Sequence, residues 1–174
     1  GDASETGITV FAQEFEDVET VPKKAPKIFE IPFNSKNKFQ LSIHDMEDER
    51  FLVIKGAPEI ILKKCSHYLL NGQEFPVDDS FRSLYEQSYK EIGSLGERVL
   101  GLAFLPMEKD PSIVYSEKKK NFPSEDLCFV GLISMLDPPK NGVKEAVANC
   151  RTAGIKVIMI TGDHPLLQKP SLGK

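Results

Sequence analysis

Apolar and polar residues alternate over the first two thirds of the chain. From Phe29 to Phe33 every second residue is apolar, as in a strand that buries one face in an antiparallel sheet. The runs FQLSIH and RFLVIKG flank the acidic DMEDE, so we predict that they pair as a hairpin. RVLGLAFLP is predicted to be another strand. This pattern predicts a mainly antiparallel sheet.

Helical patterns flank these strands. GDASETGITVFAQEFEDV is predicted to begin a helix, with Asp2 or Ser4 as its N-cap. Pro58 suits a first helical turn because its missing N–H has no intrahelical partner there, and the residues EIILKKC are predicted to continue this helix. Residues 79–92 carry apolar side chains near helical spacing, and the lysine-rich residues 107–126 are predicted to form a surface connection. The early part is therefore predicted to be an α/β domain.

The pattern changes near Leu127, where LCFVGLISML is continuously apolar, as in strands buried on both faces. A predicted helix and the apolar IKVIMITGD follow, and this order predicts a partial parallel βαβ unit. The inward face of that helix is predicted to consist of Val143, Ala146, Val147 and Cys150. We therefore divide the chain into residues 1–126 and residues 127–174.

Composition excludes several classes of function. With 22 basic and 26 acidic residues the net charge is -4, so no broad basic surface for nucleic acid is expected. The 3 cysteines form no C-x-x-C pair, and the 3 histidines lack partners at ligand spacing, so no zinc site is predicted. No apolar run approaches the roughly 20 residues of a membrane-spanning helix. We expect a soluble domain in a reducing compartment.

A candidate phosphoryl site lies at the end of the last predicted strand, at Thr161, Gly162 and Asp163. Ligands of doubly wound sheets bind outside the carboxyl ends of parallel strands. The threonine hydroxyl and the glycine N–H can donate to phosphoryl oxygens, and the aspartate can meet a metal ion. An ordinary strand-to-loop turn explains the same three residues, so both interpretations stay open.

Two further positions can meet a phosphate. Lys55 and Gly56 stand between a strand and a helix start, where an anion can be bound. Arg98 begins a strand and can bind a phosphate with two hydrogen bonds, or it can form an ion pair with the neighbouring Glu97. A solvated lysine before a tight turn explains the first position equally well.

An aromatic candidate precedes them. Phe33 can stack on a nucleobase, with Lys38 and Gln40 reading the edge of the base. A phenylalanine in an alternating strand lies more often in the core. The residues alone leave these alternatives open.

In this order, the segments GDASE, FNSKNKFQLSIH, KGAPE, GERVLG, DPP and TGDHP resemble the P-type cation-transporting ATPases. These segments are most similar to those of the alpha subunits of sodium/potassium and proton/potassium pumps, and the resemblance extends from Gly1 to about Pro165. The resemblance implies an ATP-binding domain inserted into a haloacid-dehalogenase-like phosphorylation domain. It implies ATP and Mg²⁺ as ligands of a pump that couples ATP hydrolysis, through an aspartyl-phosphate, to ion transport.

The resemblance also implies partners and a location. The partners are ATP, the membrane, actuator and remaining phosphorylation domains of the parent pump, and a beta subunit. The domain would work at the cytoplasmic face of the plasma membrane. Which ion is moved depends on membrane helices, so these residues do not specify it.

Site residues follow from the same resemblance. Phe33 would stack on adenine, and Arg98 would reach the ribose or the phosphates. Thr161, Gly162 and Asp163 would contact the transferred phosphoryl group, and residues 137–139 would form the hinge. The implied nucleotide pocket consists of Glu5, Phe33, Lys38, Gln40, Lys55, Gly56, Arg98 and Leu100.

The sequence departs from the family in two segments. It contains neither Asp-Lys-Thr-Gly-Thr, which holds the nucleophile, nor Gly-Asp-Gly-x-Asn-Asp, which binds Mg²⁺. Because phosphoryl transfer needs a positioned nucleophile and a metal clamp, this chain alone is expected to bind ATP without hydrolysing it. Two other functions stay open: a regulatory or interaction fragment without useful ATP affinity, and a dehalogenase-type phosphatase.

Overall fold

The computed structural model describes residues 3–136 and 140–158, and for Ala3 it describes the backbone alone. The helices in these ranges are α1 (Ala3–Gln13), α2 (Val21–Lys24), α3 (Pro58–Lys63), α4 (Asp79–Ser94) and α5 (Val143–Thr152). The strands are β1 (Lys27–Ile31), β2 (Phe39–Asp45), β3 (Arg50–Gly56), β4 (Cys65–Leu70), β5 (Gln73–Pro76), β6 (Arg98–Met107) and β7 (Leu127–Met135).

The strands form one sheet in the order β1-β2-β3-β6-β7-β4-β5. Neighbouring strands run antiparallel except β4 and β7, which are parallel. The predicted hairpin is β2 and β3, with Leu41 opposite Ile54 and Ile43 opposite Leu52. The mixed α/β fold with a mainly antiparallel sheet is confirmed.

The core lies on one face of this sheet. Leu41, Ile43 and Leu52 are fully buried, because alternation places every second side chain of β2 and β3 on the same face. Helices α3 and α4 contribute Ile61 and Tyr85 to this cluster. Burying one large aliphatic side chain contributes about 1.5–3 kcal/mol, so this face supplies much of the stability. The opposite face is left available for binding.

The predicted helices form for identifiable local reasons. Pro58 occupies the first turn of α3, as expected. The Asp78 carboxylate accepts a hydrogen bond of 2.7 Å from the Phe81 backbone N–H, and this caps α4. The Phe81 ring then stacks on Tyr68 with the ring centroids 3.9 Å apart, which fixes α4 against β4.

One hairpin was not predicted from the sequence. The helix after Pro58 was expected to run through Cys65, but α3 ends at Lys63 and Cys65 begins β4. The turn between β4 and β5 is Asn71-Gly72, with φ values of 51° and 78°. Asparagine followed by glycine is the sequence pattern of a two-residue hairpin turn, so the sequence did carry this information.

The strand predicted at Leu127 is present as β7, but its partners differ from those expected. It pairs antiparallel with β6 and parallel with β4, inside the sheet of the preceding residues. A continuous apolar run predicts burial, but it does not identify the neighbouring strands, and this is why the sequence misplaced β7. The division at residues 126 and 127 stays a prediction.

The rest of the expected βαβ unit is not confirmed. Residues 155–158 form no strand, and Ile155 and Ile158 are 58% and 69% exposed. Helix α5 is present as predicted, yet none of its residues is buried, and Val143 and Ala146 are exposed rather than inward. The inward face that the amphipathic pattern of α5 predicted is therefore not buried among the described residues.

Among the residues that the structure describes, no helix has both the length and the apolar character required to cross a lipid bilayer.

Candidate functional site

Seven of the eight residues predicted for the nucleotide pocket line a single cavity of about 340 Å³. The eighth, Lys38, lines an adjoining cavity of about 350 Å³ that shares Phe33, Arg98 and Leu100 with the first. We call the two cavities together the cleft. The lining of the first cavity is Ser4, Glu5, Phe33, Gln40, Lys55, Gly56, Arg98 and Leu100.

Strand register brings these residues together. Gln40 of β2 lies directly opposite Lys55 of β3, and Lys55 lies opposite Leu102 of β6. Leu100 lies two residues before Leu102, so its side chain shares that face. Glu5 reaches the cleft from the first turn of α1. Residues up to about 100 positions apart in sequence therefore meet on the face opposite the core.

A close backbone approach requires glycine at position 56. Phe39 is its register partner, and the Ala57 N–H donates a hydrogen bond of 2.9 Å to the Lys38 carbonyl. A Cβ atom on Gly56 would overlap that carbonyl oxygen and would lie 2.7 Å from Phe39 Cα. Lys38 itself adopts a left-handed conformation with φ of 58°. Gly56 thus lets the Lys38 turn approach β3.

Phe33 lies outside the core. Strand β1 ends at Ile31, which is buried, whereas Phe33 follows Pro32 and is 63% exposed at the mouth of the cleft. The core interpretation of this phenylalanine is therefore wrong. The alternation ends with the strand, because Pro32 has no N–H to continue the hydrogen-bond ladder.

The cleft carries two cationic side chains with polar partners. Lys55 Nζ lies 3.5 Å from Glu5 Oε1, and the lysine side chain is 29% exposed. Arg98 Nη1 donates a hydrogen bond of 2.9 Å to Ser4 Oγ, rather than pairing with Glu97. Both contacts join the start of α1 to the sheet. An anion in the cleft would compete with Glu5 for Lys55.

A polar chain at the edge of the sheet supports Gln40. Gln40 Nε2 donates a hydrogen bond of 2.8 Å to Glu30 Oε1, and the Lys27 ammonium pairs with the same carboxylate. These hydrogen bonds hold the pKa of Glu30 below its usual range, and the one from Lys27 has a larger effect than the one from Gln40. Neither Glu30 nor Ser4 was predicted from the sequence to belong to the site. The charged residue at an alternate position of β1 was the available indication for Glu30.

Other predicted positions fall elsewhere. Thr161, Gly162, Asp163 and the hinge at residues 137–139 lie outside the described residues. Within residues 3–136 and 140–158, no group of three His, Cys, Asp or Glu side chains could hold a metal ion. For the described part, the cleft is the site to which sequence and geometry both point.

A family model described as "P-type ATPase, cytoplasmic domain N" matches residues 1–142. The chain is 51% identical over 97% of its length to "Sodium/potassium-transporting ATPase subunit alpha-4" of Rattus norvegicus. It is 53% identical, again over 97% of its length, to "Potassium-transporting ATPase alpha chain 2" of the same organism. The chain is also 49% identical, over 97% of its length, to "Sodium/potassium-transporting ATPase subunit alpha" of Hydra vulgaris.

The chain spans about one sixth of the length of these relatives, 17% in each case. The match of the domain model extends through β7, in agreement with the position of that strand inside the sheet. Because the family model covers most of the chain, and the relatives are about half identical to it, the chain belongs to the P-type ATPase family.

Proposed function

We propose that this chain binds ATP in the cleft, as the nucleotide-binding part of a cation pump. The single observation that carries the proposal is the meeting of the eight predicted pocket residues in two joined cavities. Each cavity falls in the range of small-molecule sites, roughly 300–1,000 Å³. A hydrophobic wall with a few convergent polar groups is typical of such sites.

The chemistry of the lining suits a nucleoside triphosphate. The exposed Phe33 ring offers a face for base stacking, and Gln40 can meet the edge of the base. Lys55 and Arg98 can meet phosphate oxygens, with Arg98 able to bind two of them at once. Gly56 lets the backbone approach closely at the floor of the cleft. ATP therefore fits the residues present.

The role in a parent pump is part of the same proposal. Bound ATP, with Mg²⁺, would be delivered to an aspartate of the phosphorylation domain, and Thr161, Gly162 and Asp163 would contact the transferred group. A beta subunit and the membrane and actuator domains would be its partners at the cytoplasmic face of the plasma membrane. Residues 1–126 would bind the nucleotide, and residues 127–174 would begin the phosphorylation domain.

The test is a titration with ATP, followed by amide chemical shifts and by thermal unfolding. Amide shifts report occupancy and should saturate, whereas the unfolding midpoint should keep rising with the logarithm of the ATP concentration, because a ligand at free concentration L stabilises the folded state by RT ln(1 + L/Kd). Phe33→Ala should weaken binding by roughly tenfold, because stacking on one aromatic ring contributes about 1–3 kcal/mol. Lys55→Ala should weaken ATP binding more than adenosine binding, since its partner is the phosphate.

Matched variants control for general effects of truncation. Phe15→Ala removes a ring that is 75% exposed beyond the end of α1, and Lys90→Ala removes an ammonium from the exposed face of α4. Neither should change ATP affinity. If ATP causes neither a saturable change of the amide shifts nor a rise of the unfolding midpoint in the unsubstituted chain, the proposal is wrong, and an interaction fragment becomes the better interpretation.

A further inference from the structure

We infer that Glu30 is a positioning residue for purine selection, acting through the orientation of the Gln40 amide. The inference rests on the proposed function and deepens it. Gln40 lines the cleft, whereas Glu30 does not. The two side chains are joined by the hydrogen bond of 2.8 Å from Gln40 Nε2 to Glu30 Oε1.

The orientation of the Gln40 amide follows from donor and acceptor chemistry. An ionised carboxylate can only accept hydrogen bonds, so the Gln40 nitrogen must face Glu30 and the Gln40 carbonyl oxygen must face away. Glu30 stays ionised because Lys27 and Gln40 stabilise its charged form. Within the described residues, no donor forms a hydrogen bond to Gln40 Oε1. A ligand in the cleft therefore meets Gln40 Oε1, a hydrogen-bond acceptor whose orientation is fixed.

A fixed acceptor distinguishes the two purines. Adenine carries an amino group at C6, which donates hydrogen bonds, whereas guanine carries a carbonyl oxygen at that position, which accepts them. With a purine stacked on Phe33, Gln40 Oε1 can accept from the amino group of adenine but would oppose the oxygen of guanine. The geometry therefore favours ATP over GTP, and the preference depends on Glu30.

The experiment measures the dissociation constants of ATP and GTP for the same chain and reports their ratio. Both ligands carry the same ribose and triphosphate. A substitution that changes the electrostatic potential at the phosphates therefore affects both dissociation constants equally, and the effect cancels in the ratio. The parent chain should prefer ATP by about tenfold or more, the lower part of the range for one base contact. Glu30→Ala should reduce this ratio several-fold, since both amide orientations become accessible.

A charge reversal makes the test directional. In Glu30→Lys the ammonium can only donate, so it should turn the Gln40 amide and present its NH₂ group to the base. The ratio should then fall below that of Glu30→Ala. Glu86→Ala on α4, where the carboxylate is 68% exposed, is the control and should leave the ratio unchanged.

A double-variant cycle separates positioning from general disruption. In the Gln40→Ala background, Glu30→Ala should cause no further change in the ratio, because Glu30 acts through Gln40. The side-chain NH₂ resonances of Gln40, recorded without nucleotide, should shift in Glu30→Ala, which tests the contact independently of binding.

Each outcome has a definite meaning. An ATP preference that persists unchanged in Glu30→Ala and Glu30→Lys overturns the inference and leaves ATP binding intact. An equal effect of Glu30→Ala with and without Gln40 overturns it as well. If the parent chain binds neither nucleotide, the proposed function fails, and the inference fails with it.

Discussion

Replacing Gly56 with alanine is the sharpest test of how the cleft is built. Gly56 ends β3 opposite Phe39, and the added methyl group would meet backbone atoms rather than a flexible side chain. It would overlap the Lys38 carbonyl oxygen and lie 2.7 Å from Phe39 Cα. The start of β2 would have to move away from β3 to make room.

The cost of Gly56→Ala has two sources. Forcing one extra methyl group into a packed site costs about 1–3 kcal/mol. The displaced Lys38 carbonyl would also lose its hydrogen bond from the Ala57 N–H, which contributes about 1 kcal/mol. The free energy of unfolding should fall by about 3 kcal/mol, and the midpoint of thermal unfolding by roughly 6–12 °C for a chain of this size.

The assay is urea unfolding followed by circular dichroism, with Gly7→Ala as the matched control. Gly7 lies inside α1, where an added Cβ would make only an ordinary contact of 3.5 Å with Met135 Sδ. This second substitution should stabilise the chain by about 0.5–1 kcal/mol, because alanine is the better helix former. Equal unfolding midpoints for the parent and Gly56→Ala would refute the steric argument.

Three further predictions concern groups outside the cleft. The Tyr85 hydroxyl is buried without a hydrogen-bond partner in the described structure, so Tyr85→Phe should leave the urea midpoint unchanged or raise it. Arg50 donates a hydrogen bond to Asp45 and holds the pKa of that carboxyl below its usual range. The contribution of this pair to the free energy of unfolding should therefore be complete above about pH 4 and should be lost as the pH falls further. Asp45→Asn should flatten the fall of the urea midpoint between neutral and acid pH, and an unchanged slope would contradict this assignment. Burial raises the pKa of the Cys65 thiol to about 12, so iodoacetamide should label the half-buried Cys150 first in the folded chain, as read by peptide mass spectrometry.

Local patterns predicted much of the fold, because they are set by nearby residues. The alternation of β2 and β3 and the proline at the start of α3 act within a few positions, and the structure agrees with them. The β4–β5 hairpin was missed because an apolar stretch after α3 fits a helix or a strand equally well. The partner of β7 could not be predicted at all, since pairing between distant strands depends on the whole chain.

The candidate site divides in the same way. Phe33, Lys55 and Arg98 were singled out by residue type and by resemblance, and the structure brings them around one cleft. The alternation of β1 indicates an outward-facing charge at Glu30, but its role was missed because that role depends on a contact between two strands, from Gln40 to Glu30. Residues that act through another side chain are hidden from a search for chemical motifs.

The position of β7 sets the order in which the chain can assemble. On one side of β7 lies the sheet β1-β2-β3-β6, and on the other lies the hairpin β4-β5, which is made earlier than β6. An isolated two-stranded hairpin is marginally stable in water, and before β7 is made the hairpin has only helix α4 to pack against, through the stack of Phe81 on Tyr68. Such distant pairings slow folding, because the loop between the partners is closed before the contacts form. During synthesis, the arrival of β7 is therefore the event that joins two separate pieces into one sheet.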